Sequence, residues 1–175
     1  MKLFSAWYHG KAIIKKCFLK VIYKNRLEIG SKTTWRRNFS IIIGKGGKVS
    51  IGNNCFFNND CSLTALKSIK IGKGTLFGEN VKIYDHNHKF NNLSLPIKGQ
   101  GYSISEISIG SHCWIGSNVT ILKGVHIGDN CVVGAGCVIN RNIANNTIVS
   151  RNSSNLDLIP LMPKNQQDGE IGKGC

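Results

Sequence analysis

Proline, acidic residues and long apolar segments are all scarce in this chain of 175 residues. There are 3 prolines against 20 glycines, which is consistent with short strands joined by tight corners. No apolar run reaches the roughly 18 residues that a membrane-spanning helix requires. The first twenty residues lack the apolar core and the small-residue cleavage site of a secretory signal, so we expect a cytoplasmic protein.

Metal-ligand spacings are also missing. The 7 cysteines include no C-x-x-C pair, and their odd number argues against complete disulfide pairing. The chain lacks a His-x4-His pair, the spacing that would favour a zinc site of converging histidines, so we expect no metal. We expect His112 and His126 to face solvent. Five cysteines share one position of a sequence repeat, where a thiol behaves as a small apolar side chain. These are Cys55, Cys61, Cys113, Cys131 and Cys137.

The shortage of acid leaves a formal net charge of +14, from 23 basic and 9 acidic residues. Residues 1–40 carry ten Lys or Arg and a single acid, Glu28. Aromatic residues do not alternate with basic ones as a base-stacking surface requires, and no DNA-reading motif occurs, so nucleic-acid binding is not expected. A basic surface also suits an anionic ligand such as a nucleotide-bearing cofactor.

Part of this basic segment has a helical pattern. From Ala12 to Tyr23, Ile14, Phe18, Leu19 and Ile22 fall on one side of a helix and lysines fall elsewhere. Such a helix can lie on anionic lipid as a peripheral membrane contact. It can equally pack on the end of the fold with its basic side in water, and the sequence leaves both possibilities open.

What the chain has in abundance is a six-residue period. Aliphatic residues recur at Ile109, Ile115, Ile121, Ile127, Val133 and Ile139. Glycine directly follows four of them, and we attribute this to a corner conformation that is costly for a residue with a Cβ. Neither a helix nor an ordinary strand has this period, which is typical of a parallel β-helix. The period extends upstream less regularly, at Ile51, Ile71 and Phe77.

The repeat is interrupted once. Between Ile83 and Ile109 the period is lost, and we predict an excursion loop at residues 84–106. Loops longer than about 12–15 residues are uncommon in compact domains unless they are functional or disordered. We therefore expect a basic, partly helical segment at 1–40, a β-helix domain at 41–159 and a disordered tail at 160–175.

The residues that flank the interruption carry a family resemblance. The excursion opens with Asp85-His86-Asn87-His88, and the repeat resumes with Trp114-Ile115-Gly116 and later Val133-Gly134-Ala135-Gly136. In this order the chain resembles the hexapeptide-repeat acyltransferases, in particular the sugar O-acetyltransferases similar to maltose and galactoside acetyltransferases. The resemblance covers roughly residues 47–150. It implies an all-β, left-handed parallel β-helix that assembles as a homotrimer with active sites between neighbouring columns.

The resemblance also implies a reaction and a base. Members transfer an acetyl group from acetyl-coenzyme A to a hydroxyl, with a histidine of the excursion as general base. Histidine suits this task because it is mostly neutral and still basic near pH 7. Aligned without gaps, His88 takes the catalytic position, whereas His86 takes it if the loop entry is shifted by two residues. Asp85 is expected to orient an imidazole or to contact the acceptor.

Further site residues follow from the same resemblance. For the coenzyme these are Trp114, Ser117, Ala135, Asn140 and Arg141. Asn58 matches a residue on the acceptor side. After residue 142 the family's usual Pro and Lys are replaced, which leaves open how the adenosine end is held.

Three functions remain open at this stage. We expect an O-acetyltransferase acting on a sugar, plausible in surface polysaccharide biosynthesis. The alternatives are N-acetyl transfer to an aminosugar or transfer to a drug, and a catalytically silent scaffold or binding protein.

Overall fold

The computed structural model describes residues 14–151 and 156–160. Within them the chain winds into a column of short parallel strands, which confirms the predicted parallel β-helix. A helix, α1, spans residues 14–23 and precedes the column. Two short 3-10 helices follow, at Lys24–Arg26 and within the excursion at Ile97–Gly99. In the described ranges, no helix is long and apolar enough to cross a membrane.

Three sheets form the faces of the column, and successive strands pass from face A to B to C. Face A contains β1 (Leu27–Ile29), β4 (Lys48–Ile51), β7 (Ser68–Ile71), β12 (Ile107–Ile109) and β15 (His126–Ile127). Face B contains β2 (Thr34–Trp35), β5 (Phe56–Phe57), β8 (Leu76–Phe77), β13 (Trp114–Ile115), β16 (Val132–Val133), β18 (Thr147–Arg151) and the antiparallel β19 (Leu156–Pro160). Face C contains β3 (Ser40–Ile43), β6 (Ser62–Ala65), β9 (Lys82–Tyr84), β14 (Thr120–Ile121) and β17 (Val138–Ile139).

The coils differ in length. Ser108 pairs with His126, which is the spacing that three hexapeptides per coil require. Upstream, Leu27 pairs with Val49 and Val49 pairs with Ile69, so these lower coils are longer than three hexapeptides. The column therefore begins at Leu27, inside the segment 1–40 that the sequence assigned to a separate unit. The predicted tail lies, apart from Pro160, outside the described residues.

The excursion is a hairpin rather than an irregular loop. Ile69 pairs with Ile107, a separation along the chain more than twice that of a coil of three hexapeptides. Within this insertion, β10 (His86–His88) pairs antiparallel with β11 (Tyr102–Ile104). Asp85 remains completely buried in the column, so the insertion begins at His86.

The core is a continuous stack of inward side chains. Phe39, Phe57 and Phe77 stack along the axis in the lower coils, with ring centroids 4.7 and 4.3 Å apart. In the upper coils, aliphatic residues such as Ile115 and Val133 take over the inward positions of face B. The five repeat cysteines are buried and unpaired, as predicted.

The small inward residues at the edge between faces A and B have a further role. Each donates its hydroxyl or thiol hydrogen to a carbonyl oxygen of the following coil. The donors are Thr33, Cys55, Thr75, Cys113 and Cys131, and the acceptors are Gly52, Gly72, Gly110, Gly128 and Ala144, at 2.6–3.1 Å. Threonine and cysteine thus make the same kind of hydrogen bond between coils along this edge.

The prediction that the recurrent glycines serve a corner conformation costly for other residues was wrong. The glycine after each aliphatic residue does not have a positive φ, whereas the left-handed position falls two residues later, as at Asn118 and Gly136. A Cβ on Gly110 would lie 2.4 Å from the carbonyl oxygen of Gly128 in the next coil. Close approach of successive coils therefore requires glycine here.

Candidate active site

Asp85 connects the column to the excursion. Its carboxylate accepts hydrogen bonds from three successive backbone N–H groups of the preceding coil, those of Leu66, Lys67 and Ser68, at 2.6–3.0 Å. A buried carboxylate is tolerated only when it is fully hydrogen-bonded, and these donors meet that condition. The hairpin therefore leaves the column from a fixed point.

His86 is held by the same carboxylate. Its Nδ1 lies 3.2 Å from Oδ1 of Asp85, and its side chain is only 17% exposed. When Nδ1 donates to the carboxylate, the proton-free nitrogen is Nε2, which is the tautomer that a general base needs. The expectation that Asp85 orients an imidazole thus has a geometric counterpart at His86.

His88 lies two residues further along β10, and Tyr102 lies against both imidazoles. The ring centroid of Tyr102 is 4.6 Å from that of His88 and 5.3 Å from that of His86. His88 is exposed, so its ring is accessible to a substrate from outside the hairpin. Sequence reasoning missed Tyr102, because only the antiparallel register of β10 and β11 places it opposite His88.

The tip of the excursion is braced by one side chain. Oε1 of Gln100 accepts from the N–H of Asn92, and its Nε2 donates to the carbonyl oxygens of Asn92 and Leu95, all at 2.9–3.0 Å. The tip also exposes large apolar side chains, among them Phe90 and Leu93, which is 99% exposed. A defined hairpin with an apolar tip therefore projects from the column.

A second group of the predicted residues lies on face B and on the edge between faces B and C. Trp114 is exposed on face B, between Leu76 of the coil below and Val132 of the coil above. Ser117 and Ala135 occupy successive coils of the edge, where the N–H of Gly136 donates to the carbonyl oxygen of Ser117. Asn58 lies on the same edge two coils below Ser117, and its Oδ1 accepts from the N–H of Asn59.

Backbone donors are left open at this edge. One coil below, the N–H of Glu79 donates to Oγ of Ser117 at 3.1 Å. The corresponding partner of the Ser117 N–H would be the side chain of residue 135, and alanine has no acceptor. Within residues 14–151 and 156–160, the N–H groups of Ser117 and Ala135 have no protein partner. A ligand with carbonyl groups, such as the pantetheine arm of coenzyme A, fits these two donors.

Asn140 and Arg141 lie with the residues at the start of the hairpin, not with those of face B. Both are exposed where the chain leaves β17, on the edge between faces C and A. The hairpin leaves this same edge two coils below, after β9. Asp85, His86, His88, Asn140 and Arg141 thus share the edge between C and A, which face B does not border. One chain alone does not bring both groups together.

The remaining titratable groups offer little for nucleophilic or metal chemistry. Burial raises the pKa of the Cys113 thiol to about 11, and it raises the pKa of Cys55, Cys61 and Cys137 as well. These thiols are protonated near pH 7 and are poor nucleophiles. In the described part of the chain, no cluster of three or more His, Cys, Asp or Glu side chains could hold a metal ion.

The other histidines of the column lie apart from both groups. His112 and His126 are exposed, as expected. Nδ1 of His126 lies 2.7 Å from Oγ of Ser108 on face A.

Known proteins share the repeat and the fold. The family model for the hexapeptide repeat of succinyl-transferase matches residues 106–141. WbbJ of Escherichia coli K12, whose name assigns it provisionally to O-acetyl transfer in lipopolysaccharide biosynthesis, is 32% identical over 111 residues. The match covers 59% of this chain and 57% of WbbJ. The chain spans about half the length of the curated relatives that it matches.

Two solved structures resemble the column. A hexapeptide-repeat acetyltransferase from Vibrio cholerae, VCA0836, solved in complex with acetyl-coenzyme A, is 26% identical with a TM-score of 0.66 over 78% of this chain and 72% of that chain. The maltose O-acetyltransferase from Clostridium difficile 630 is 30% identical with a TM-score of 0.64, over 81% of this chain and 73% of that chain. By its repeat, its fold and these similarities, the chain belongs to the hexapeptide-repeat acetyltransferase family.

Proposed function

We propose that this protein is an acetyl-coenzyme A dependent O-acetyltransferase that modifies a sugar hydroxyl, with His88 as general base. The supporting observation is the histidine pair of β10, which a buried carboxylate and Tyr102 hold at the start of the hairpin that projects from the column. The sugar acceptor is supported by the likeness to a maltose O-acetyltransferase. The name of WbbJ supports a role in surface polysaccharide synthesis.

His88 accepts the proton of the acceptor hydroxyl while the hydroxyl oxygen attacks the carbonyl carbon of the thioester. The carbon–sulfur bond then breaks, and the imidazolium returns its proton to the departing thiolate, so that coenzyme A leaves as the free thiol. The four described repeat cysteines with raised pKa values argue against a covalent acyl-cysteine on the way. Direct transfer is therefore the proposed course.

His86 has a positioning role in this proposal. Its Nδ1 is engaged by Asp85 and its ring is packed on Tyr102, so it fixes β10 and with it His88. The same contacts would suit His86 to be the base itself, in the arrangement where Asp85 selects its tautomer. Acetyl transfer by His86→Ala and His88→Ala distinguishes the two assignments.

The coenzyme is proposed to lie against the edge between faces B and C. Trp114 offers an exposed apolar surface there, and the N–H groups of Ser117 and Ala135 are open to its amide carbonyls. Asn140 and Arg141 are proposed to contact the outer end, where a guanidinium suits a phosphate. Because these residues lie on two separate edges, the proposed site forms between two columns of a homotrimer.

The test is acetyl transfer by the purified protein with a panel of sugars, followed by release of coenzyme A thiol and by the mass of the product. We expect His88→Ala to lower kcat by about 10²- to 10⁴-fold. His86→Ala should lower kcat less, and His86→Gln should restore part of it. His126→Ala is the matched control, since His126 is an exposed histidine outside the proposed site.

Other outcomes would replace the proposal. Loss of activity in His86→Ala with His88→Ala active would make His86 the base. Acetylation of the amine of an aminosugar or of a drug in place of a sugar hydroxyl would move the chain to those alternative classes. Equal background rates in all variants would favour a scaffold or binding protein.

A further inference from the structure

Helix α1 packs on the column with its polarity inverted. Leu19 is the buried apolar residue of residues 14–23, and it joins the core cluster. The inner side also carries Tyr23, which packs against the core, and two lysines: Lys16 donates to the carbonyl oxygen of Gly30 at 2.6 Å, and Lys15 donates to that of Phe39. Burial lowers the pKa of both lysines. A helix that packs on a core normally turns its apolar stripe inward, and α1 does the opposite.

The apolar stripe faces outward instead. Ile14, Phe18, Val21 and Ile22 are 72%, 63%, 72% and 49% exposed. At 100° per residue these four positions fall within an arc of about 100° on the helix surface. The sequence placed Ile14, Phe18, Leu19 and Ile22 on one side of this helix, either on lipid or packed on the end of the fold, and of these four only Leu19 is buried. An ordered apolar stripe on the outside of a protein marks an interaction surface.

Helix α1 covers the end of the column. The inner side of α1 contacts the first coil at two of its three edges, through Gly30 and Phe39, and the adjoining Arg26 donates to the carbonyl oxygen of Gly44 at the third. The hydroxyl of Tyr23 donates to the carbonyl oxygen of Ile41 on face C. The helix therefore lies across the open mouth of the first coil. Its outer side faces away from the sheets of the described chain.

Charge is concentrated at the same end. Residues 14–50, which form α1 and the first coil, contain ten Lys or Arg and one acid, Glu28. The rest of the described chain contains nine Lys or Arg and six acids. Lys20 in the last turn of α1 and Lys24 directly after it are exposed. Apolar side chains surrounded by cations at one end of the molecule complement an interface of acyl chains and anionic headgroups.

We propose that α1 docks this end of the column on an anionic lipid membrane, with Ile14, Phe18 and Val21 inserted and the neighbouring lysines on the headgroups. The docking surface is separate from the edge that carries the histidines and from face B, which carries Trp114. The proposal thus stands whether or not the acetyl transfer does. If both hold, docking brings the enzyme to acceptors at the membrane surface.

Cys17 provides a native reporter of this docking. It is the exposed cysteine of the described residues and adjoins Phe18, whereas the cysteines of the column are buried. In the full chain carrying Cys175→Ser, Cys17 is labelled with a polarity-sensitive fluorophore and mixed with vesicles of phosphatidylcholine, with or without phosphatidylglycerol. We expect a blue shift and flotation with the anionic vesicles only, weakened by salt.

Variants assign the binding to the stripe. Phe18→Ser should lower vesicle binding about tenfold, and Lys20→Gln and Lys24→Gln about fivefold each. Ile42→Ser is the matched control, because Ile42 is 56% exposed on face C of the same coil. Thermal melts confirm that each variant folds, and acetyl transfer to a soluble sugar should be equal in all of them.

Two results would overturn the proposal. One is the absence of flotation and of a blue shift with anionic vesicles. The other is a change in solution mass, rather than in vesicle binding, when Phe18 is replaced, since this would show that a second copy of the chain covers the stripe.

Discussion

Oδ1 of Asp85 lies 3.2 Å from Nδ1 of His86, although Asp85 is completely buried and His86 begins the projecting hairpin. The same carboxylate accepts hydrogen bonds from the N–H groups of Leu66, Lys67 and Ser68 in the coil below. One side chain therefore couples the stability of a core turn to the orientation of an imidazole in the proposed site.

This coupling predicts that Asp85→Asn lowers both the stability and the activity of the protein. The amide offers one acceptor oxygen where three N–H groups need partners, and its own NH₂ group faces those donors. We expect the free energy of unfolding to fall by about 3 kcal/mol, the scale of hydrogen bonds to a charged group, and kcat to fall as well. Urea unfolding measures the first effect and acetyl transfer the second.

The control for this variant is Asp60→Asn. Asp60 is exposed and accepts one hydrogen bond from Asn38, so its loss should cost no more than about 0.5 kcal/mol. Equal stabilities of the two variants would contradict the structural role of Asp85.

The column was predictable from the sequence because its period is a property of consecutive residues. Ile109, Ile115 and Ile121 each fill an inward position, so their spacing alone indicates the fold. The lower coils are longer than three hexapeptides, which breaks this period and hid the start of the column at Leu27. Contacts between distant residues are invisible to such a pattern. Asp85 reaches the turn at Leu66, and Tyr102 reaches His88, only because the coils and the hairpin bring them together.

The buried thiol of Cys113 predicts a loss of stability at alkaline pH. Burial raises the pKa of its thiol to about 11 from an ordinary value of 9.0, so the folded state holds the proton more tightly than the unfolded state. The resulting stability is complete below pH 9 and is lost as the pH rises from 9 to 11. The expected loss is about 2 kcal/mol, since each pH unit of difference corresponds to about 1.4 kcal/mol and solvent near the edge screens part of the effect.

The variant Cys113→Thr tests this loss of stability at alkaline pH. Thr33 and Thr75 occupy the same inward slot in other coils and donate to the same kind of carbonyl oxygen, so threonine should fit with a cost below about 1.5 kcal/mol. Urea unfolding between pH 8 and 11 should show a shallower decline in the variant than in the wild type. Cys17→Ser, at an exposed position, should leave the decline unchanged, and parallel curves for all three proteins would refute the assignment.

A serine at position 135 should weaken the binding of the coenzyme selectively. In Ala135→Ser the new hydroxyl can accept from the N–H of Ser117, just as Ser117 accepts from the N–H of Glu79 one coil below. The donor proposed for the pantetheine arm is then engaged within the protein. KM for acetyl-coenzyme A should rise about 2- to 10-fold, the value of one net hydrogen bond.

The fold should tolerate this serine, because Ala135 is exposed and Ser117 occupies the equivalent position below it. Ala144→Ser, at another exposed corner, is the matched control and should not change KM. An unchanged KM in Ala135→Ser would mean that the coenzyme does not use the N–H of Ser117.

Helix α1 shows a different limit of sequence reasoning. The pattern from Ile14 to Ile22 indicates an apolar stripe but not the side on which it is used. Carbonyl oxygens at the end of the first coil need donors, and Lys15 and Lys16 supply them. This requirement turns the lysines inward and the apolar stripe outward, and no local period encodes it.

The separation of the predicted residues between two edges makes the assembly itself testable. His88 leaves the edge between faces C and A, whereas Trp114 lies on face B, which does not border that edge. If each site combines His88 of one column with Trp114 of its neighbour, His88→Ala and Trp114→Ala chains should complement each other. After unfolding and refolding of an equal mixture, about a quarter of the sites should contain both intact residues, as random assembly of a cyclic trimer predicts.

The readout is acetyl transfer by the mixture against each variant refolded alone, together with the solution mass. His88→Ala mixed with His88→Ala carrying Trp114→Ala is the matched control and should remain inactive. A mixture no more active than its parents, at the mass of a trimer, would show that each site is built from a single chain. The division of the residues between two edges would then have no catalytic meaning.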